Sequence, residues 1–283
     1  MTLDEWPGRG PAAEPAMGLV PTTTTAAPVD RTHIVVGTPW AGSWRLCNLM
    51  GRTGTMTTPL PWFDPLRVPA FARELEVASD ARPWAARYLT AVRERATADR
   101  VCSFSMMWTH QRWLLQIARL ALGPDSDART TLDPDVVATS FPNPSYVWVR
   151  CSDTAAQALR WYASRHPELA QVYPGALGGA APPADFQEVR WLESVALRQE
   201  QGWATYFAIH GIRPVVVSSE DLVAEPVTEA LTVVRRLGYE PSGLPSSKGA
   251  EEGIEAVAGR LAEPYRRARS RLSSDVGVRA RTP

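Results

Sequence analysis

Lysine is almost missing from this chain: Lys248 stands alone among 30 basic residues, and the rest are arginine. Part of that bias reflects a GC-rich codon usage, which the Ala and Pro content also suggests, but it excludes any mechanism needing a lysine in the body of the fold. Net charge is missing as well, with 30 acidic residues against 30 basic ones and a pI near 6.9. A neutral chain has no global basic field, so no nucleic acid and no membrane is expected as a partner. Three widely spaced cysteines, Cys47, Cys102 and Cys151, form no CxxC pair. They argue against a disulfide framework and a zinc cage, which makes a reducing, cytoplasmic setting the default. The four histidines are scattered, and no apolar run reaches the length of a membrane span. The first residues lack the basic-then-apolar order of a secretory signal.

What is present in excess is tryptophan, 11 residues against six phenylalanines. Buried indole N–H groups need partners, so a core has little reason to collect so many. The remaining organisation is that of one domain. Residues 1–31 are Pro/Ala/Thr-rich and read as a disordered tail, 32–272 as a single α/β domain, and 273–283 as a frayed end. Within the domain HIVVGTPW, VCSFSMMW, SYVWVR and IRPVVVSS read as strands. Each is followed by a helical segment: AGSWRLCNLMGRTG, HQRWLLQIARLAL, DTAAQALRWYASRH capped by Ser152 or Asp153, and EPVTEALTVVRRLG. Residues 69–99 also read as helical, with a mostly solvated, charge-paired face. FQEVRWLESVALRQEQGWATYFAIHG reads as a long amphipathic helix ended by Gly211, and YPGALGGAAPP as a flexible, lid-like loop. Alternation of this kind predicts a central parallel sheet flanked by helices on both faces.

The turn after the first strand, Thr38-Pro39-Trp40-Ala41-Gly42-Ser43-Trp44, joins a strand to a helix through a Gly-Ser pair. Backbone amides at such a helix start point at an anion, and the helix dipole adds roughly 0.3–1 kcal/mol. The turn is neither GxxxxGK[ST] nor GxGxxG, so its pattern alone is a weak signal.

Five segments taken together resemble the PAPS-dependent sulfotransferases of the bacterial trehalose 2-sulfotransferase type, where PAPS is 3′-phosphoadenosine 5′-phosphosulfate. They are the 38–44 turn; Ser105-Met106-Met107-Trp108-Thr109-His110; YVWVR with Cys151, Asp153, Gln157, Ala158 and Arg160; Gln199 to Phe207 followed by VVVSSEDL; and RRLGYEP. The resemblance runs from about residue 33 to 242. It implies a sulfotransferase-like fold with a P-loop-type nucleotide site, PAPS as donor, a hydroxyl of a small and hydrophobic molecule as acceptor, and allows a homodimer. It places the phosphosulfate on the amides of Trp40, Ala41, Gly42, Ser43 and Trp44.

Several polar positions of that family carry other residues here. The loop arginine falls on Trp40, the catalytic glutamate on Pro61, a second glutamate on Thr58, and a lysine on Ser105. The arginine and serine at the 3′-phosphate fall on Cys151 and Arg160. Arg150 and Arg160 are candidates to hold that phosphate instead, Arg45 can reach a phosphate from the loop helix, and Asp64 or His110 is the candidate general base. Each also has a plainer reading: ion-paired surface arginines, a turn aspartate before Pro65, a polar residue at a helix start. Trp62, Phe63, Met107 and Trp108 fall on pocket segments, although Trp62 and Trp108 read equally well as core. Trp40 and Trp44 at an anion cradle favour an apolar ligand or a cation over a phosphosulfate. The residues therefore also admit a PAPS-independent cyclase or isomerase, or a non-catalytic binding protein. No metal is called for.

Overall fold

The computed structural model describes residues 28–78, 84–122, 133–167, 169, 184–243 and 257–269. The sequence up to residue 27, the Gly/Pro-rich loop at 173–183 and the end from 270 lie outside the described residues. Among the described residues five strands form one sheet in the order β2-β3-β1-β4-β5: β1 Arg31–Gly37, β2 Thr97–Ala98, β3 Val101–Met107, β4 Pro144–Arg150 and β5 Val215–Ser218. The pairs β1–β3, β1–β4 and β4–β5 are parallel, as the strand–helix alternation predicts. The two-residue β2 at the edge runs antiparallel and has no counterpart in the sequence reading. Strand β1 opens at Arg31, and the carboxylate of Asp30 meets Arg100 at 2.6 Å.

Helices among the described residues flank the sheet on both faces and beside it. They are α1 Ser43–Arg52, α2 Val68–Glu74, α3 Trp84–Arg95, α4 Trp108–Leu122, α5 Asp133–Ser140, α6 Thr154–Arg165, α7 Phe186–Ile209, α8 Ser219–Ala224, α9 Pro226–Arg236 and α10, residues 257–269. Alternation along the strands decides which helix covers which face. Ile34, Val36, Phe104, Met106, Tyr146 and Trp148 face a core shared with α3, α4, α5 and α7. Val35, Val101, Val147, Val149 and Val217 face α1 and α9. A third cluster joins α6, α7 and α10 beside the sheet.

Within 69–99, α2 and α3 are helical as expected, but Thr97–Ala98 is strand, and the face expected to be mostly solvated is corrected: Trp84, Tyr88, Leu89 and Val92 of α3 are buried in the first core. Its charges fall between apolar residues recurring at 84, 85, 88, 89 and 92, which is a helical stripe hidden within a charge-rich sequence. The loop before α2 is anchored by Leu60, which bridges Phe104 in parallel and accepts the Ser105 amide at 2.9 Å. That contact extends the sheet beside β3 and carries the following residues, Pro61 to Asp64, toward its C-terminal edge.

Candidate active site

In an open parallel sheet, ligands bind beyond the carboxyl ends of the strands, where helix N-termini converge. Here that edge is made of four neighbouring turns: Met107–His110 after β3, Thr38–Ser43 after β1, Cys151–Asp153 after β4 and Ser218–Glu220 after β5.

The β1–α1 turn is shaped by backbone first. Trp40 has φ 62° and Gly42 φ 91°, so two of its residues are left-handed. Glycine adopts that region freely, whereas an indole residue there carries backbone strain. The Ala41 amide closes the turn on the Thr38 carbonyl at 3.1 Å. Gln157 of α6 donates to the Thr38 hydroxyl at 2.6 Å and also to the Pro39 carbonyl, and Trp203 of α7 donates to the Gly37 carbonyl at 3.1 Å. These bonds fix the turn from two sides. Gly42 is the N-cap of α1 and makes no side-chain cap, so the helix start presents its backbone at the sheet edge without a capping hydroxyl or carboxylate from that position. Ala41 is buried, Gly42, Ser43 and Trp40 are half-buried, and Trp44 is exposed.

Asp64 and His110, two separate candidates in the sequence, are brought together. His110 Nε2 lies 3.8 Å from Asp64 Oδ1, and Arg67 Nε lies 3.6 Å from Asp64 Oδ2. The Met107 amide donates to His110 Nδ1 at 3.3 Å, so the ring proton sits on Nε2 and faces the carboxylate. Burial lowers the pKa of His110 against the opposing pull of Asp64, so the ring is neutral at neutral pH. With Nδ1 occupied and Nε2 protonated, His110 has no lone pair to accept a substrate proton. Asp64 has.

The aromatic candidates divide. Trp108 and Met107 are half-buried at the mouth, and Trp108 packs edge-on against Trp203, ring centroids 5.2 Å apart. Trp62 and Phe63 are enclosed in the core, where Phe63 meets Phe104, Phe141 and Tyr88 edge-on. They shape the wall behind the site rather than its surface. Ser105 and Pro61 lie side by side through the Leu60 bond, and Ser105 points toward buried Cys47, whose thiol burial pushes up to about 12.

The two arginines expected at the 3′-phosphate are engaged separately. Arg150 Nε bonds Glu200 of α7 at 2.7 Å and its guanidinium lies over the Trp148 ring at 4.5 Å. Burial raises the Glu200 pKa while Arg150 lowers it, with the net shift upward. Arg160 instead contacts the Cys151 thiol at 3.5 Å. Burial raises that thiol to about 11, against the pull of Arg160, so it is neutral. The β4–α6 turn itself holds a carboxylate: the amides of Ser152 and Asp153 donate to Glu220 Oε1 at 2.8 and 3.0 Å. The sequence reading carried Glu200 and Glu220 inside the matched segments Gln199 to Phe207 and VVVSSEDL but gave neither a role; Ser218 caps α8 by accepting the Asp221 amide at 3.1 Å. Glu200 was one polar residue among many on an amphipathic helix.

Against these residues PAPS fits in one half. The uncapped start of α1 suits a 5′-phosphosulfate by backbone alone. The turn that the resemblance sets at the 3′-phosphate lacks the family's arginine, with Cys151 in its place, and Arg160 stands against that thiol at 3.5 Å.

Among solved structures the chain is similar to a sulfotransferase domain from the curacin biosynthetic pathway. The two are 15% identical, with 83% of this chain and 84% of that one covered and a TM-score of 0.38. No curated protein matches. No described helix is long and apolar enough to cross a membrane. The family model for Stf0 sulphotransferase matches residues 32–266, from the first strand into α10, and by that match the chain belongs to the Stf0 sulphotransferase family.

Proposed function

We propose that this chain transfers a sulfuryl group from a nucleotide phosphosulfate donor to the hydroxyl of a small, largely apolar acceptor. The observation that carries the reading is the uncapped, amide-lined start of α1 on the same sheet edge as an aspartate oriented by a neutral histidine. The donor supplies an activated sulfur–oxygen bond. The chain supplies the rest: first-turn amides that hold negative charge as the phosphate leaves, and Asp64, which takes the acceptor's hydroxyl proton. His110 Nε2–H and Arg67 keep the carboxylate in place. Met107, Trp108 and Trp44 offer apolar surface to the acceptor.

The test is sulfuryl transfer by the full chain to a panel of hydroxylated apolar compounds, read by mass spectrometry, alongside calorimetry with adenosine 5′-phosphate. Product together with nucleotide binding supports the reading. No nucleotide binding at millimolar concentration removes it.

Trp40 favours a second reading, a nucleotide-independent catalyst or binder of an apolar compound, because the turn carries an indole where an anion cradle favours a cation. Trp40→Arg separates the two. Under sulfuryl transfer the added guanidinium raises affinity for the nucleotide phosphate; under the second reading the variant gains no nucleotide binding and loses the apolar ligand.

A further inference from the structure

Arg150 is the last residue of β4, and the alternation along that strand decides which way it points. Tyr146 and Trp148 face the core shared with α4 and α7, whereas Val147, Val149 and the following Cys151 face α1 and α9. Arg150 follows the first set, and its guanidinium lies over the Trp148 ring at 4.5 Å. Arg160, against the Cys151 thiol, belongs with the second. The Arg150 guanidinium therefore stands on the side of the sheet that carries Asp64, His110 and Trp108, across the edge from the start of α1. Two contacts fix it there. Trp148 supports its face, and Glu200 Oε1 accepts from Nε at 2.7 Å. Glu200 Oε2 is buried without a hydrogen-bond partner, so the pair is held through Nε alone. A guanidinium has five N–H donors. Those on Nη1 and Nη2 make no hydrogen bond among the described residues, and the side chain is 52% exposed.

We propose that Arg150 is a second anchor for the acceptor: the apolar hydroxyl compound carries a carboxylate, which Nη1 and Nη2 hold while its hydroxyl lies at Asp64. This rests on the sulfuryl-transfer reading above. The planar fork of a guanidinium matches a carboxylate with two parallel hydrogen bonds. A fork already fixed by stacking and by its Nε bond loses little freedom when a ligand arrives. Glu200 shares the cation, but it meets only Nε and its side chain is 15% exposed, so a ligand from solvent reaches the other nitrogens. The sheet sets the length of the acceptor. Strands β3 and β4 both flank β1, so their ends are two strand spacings apart, roughly 10 Å. His110, beside Asp64, follows the first of these ends, and Arg150 closes the second. Trp108 rests on Gly202, two residues beyond Glu200 on α7, and gives the gap an apolar wall. The class that fits is a hydroxy acid with an extended apolar chain of roughly eight bonds between its two polar groups.

The experiment uses the full chain with ω-hydroxyalkanoic acids of about six to twelve carbons, each beside its methyl ester. Binding is read by calorimetry without donor, and transfer from PAPS by mass spectrometry. Both are repeated for Arg150→Lys, which keeps the charge without the fork, and for Arg150→Gln with Glu200→Gln, which removes both charges together. Circular dichroism checks that each variant folds. The wild type is expected to bind the best acid at least about tenfold tighter than its ester. That ratio should fall at least about threefold in Arg150→Lys and to about one in the double variant. A wild type with no preference for the acid overturns the inference, and transfer to the esters would leave the sulfuryl-transfer reading standing. An unchanged ratio in a folded variant overturns the role of Arg150, as does the absence of any acid binding at millimolar concentration. The expected ratios without transfer to any compound support the carboxylate anchor and count against sulfuryl transfer alone.

Discussion

A carboxylate takes a hydroxyl proton efficiently only when its lone pair is held toward that hydroxyl, and Asp64 is held from three directions. Its Oδ1 accepts the Leu66 amide at 3.0 Å, His110 Nε2 stands 3.8 Å from the same oxygen, and Arg67 stands 3.6 Å from Oδ2. Asp64→Asn keeps the shape and the turn but removes the basic oxygen. It is expected to lower kcat by about 10²–10⁴-fold with an unchanged melting temperature, measured as sulfuryl transfer beside a thermal melt. His110→Asn separates orienting from proton transfer. Asparagine can still accept the Met107 amide but offers no N–H at the Nε2 position. A drop in kcat of about tenfold with little change in KM is expected, and a drop as large as that of Asp64→Asn would make His110 the base instead. Both residues were visible in the sequence as separate candidates. Their pairing was not, because it spans 46 positions and depends on the Leu60–Phe104 bridge, which sequence pattern does not encode.

Helix α7 touches the site at one point of unusually close approach. A Cβ on Gly202 would lie 2.4 Å from Trp108 Cε2, so the indole of α4 rests flat on the glycine backbone. Trp108 then meets Trp203 edge-on, and Trp203 donates to the Gly37 carbonyl where the anion-binding turn begins. Gly202→Ala therefore forces Trp108 outward or α7 away from the sheet. It is expected to destabilise the fold by about 1–3 kcal/mol in urea unfolding. It should also raise KM for the apolar acceptor more than it lowers kcat, since Trp108 is a wall of the site and not a proton carrier. A melt and KM both unchanged would show that the close approach has no role. At this scale most of the fold could be read in advance. Apolar β-branched runs marked β1, β4 and β5, Asp153 capped α6 as expected, and Gly211 ended α7. Helix α10 escaped because only Val257, Ala258, Leu261 and Tyr265 carry its buried face, a short stripe among arginines. The burial of α3 escaped for the same reason.

On the scale of the whole molecule, buried polar groups tie distant segments together. Glu193 of α7, only 4% exposed, accepts from Thr154 at the start of α6 at 3.0 Å and from the Tyr265 hydroxyl of α10 at 2.8 Å, and pairs with Arg269 at 3.0 Å. Glu193→Ala leaves the Thr154 and Tyr265 hydroxyls without their acceptor and is expected to cost about 1–3 kcal/mol in urea unfolding. His33 of β1 makes a comparable tie to the far end of the domain, its Nε2 lying 3.0 Å from the Tyr239 hydroxyl. Burial, with Arg31 adding to it, lowers the His33 pKa from 6.5 to about 4. Between those values the unfolded chain binds the proton and the folded one does not, so stability rises with pH across the window and is lost as pH falls through it. At about 1.4 kcal/mol per unit, the loss is on the order of 3 kcal/mol. Glu220, depressed from 4.5 to about 2, gives a further loss of the same sign at lower pH. Its share is smaller, because the residue is exposed and solvent screens it. His33→Gln keeps a partner for Tyr239 and cannot take up the proton. Urea unfolding from pH 7 to 4 should therefore show a clearly shallower decline for His33→Gln than for the wild type. Parallel declines would mean that the acid sensitivity of the fold resides elsewhere.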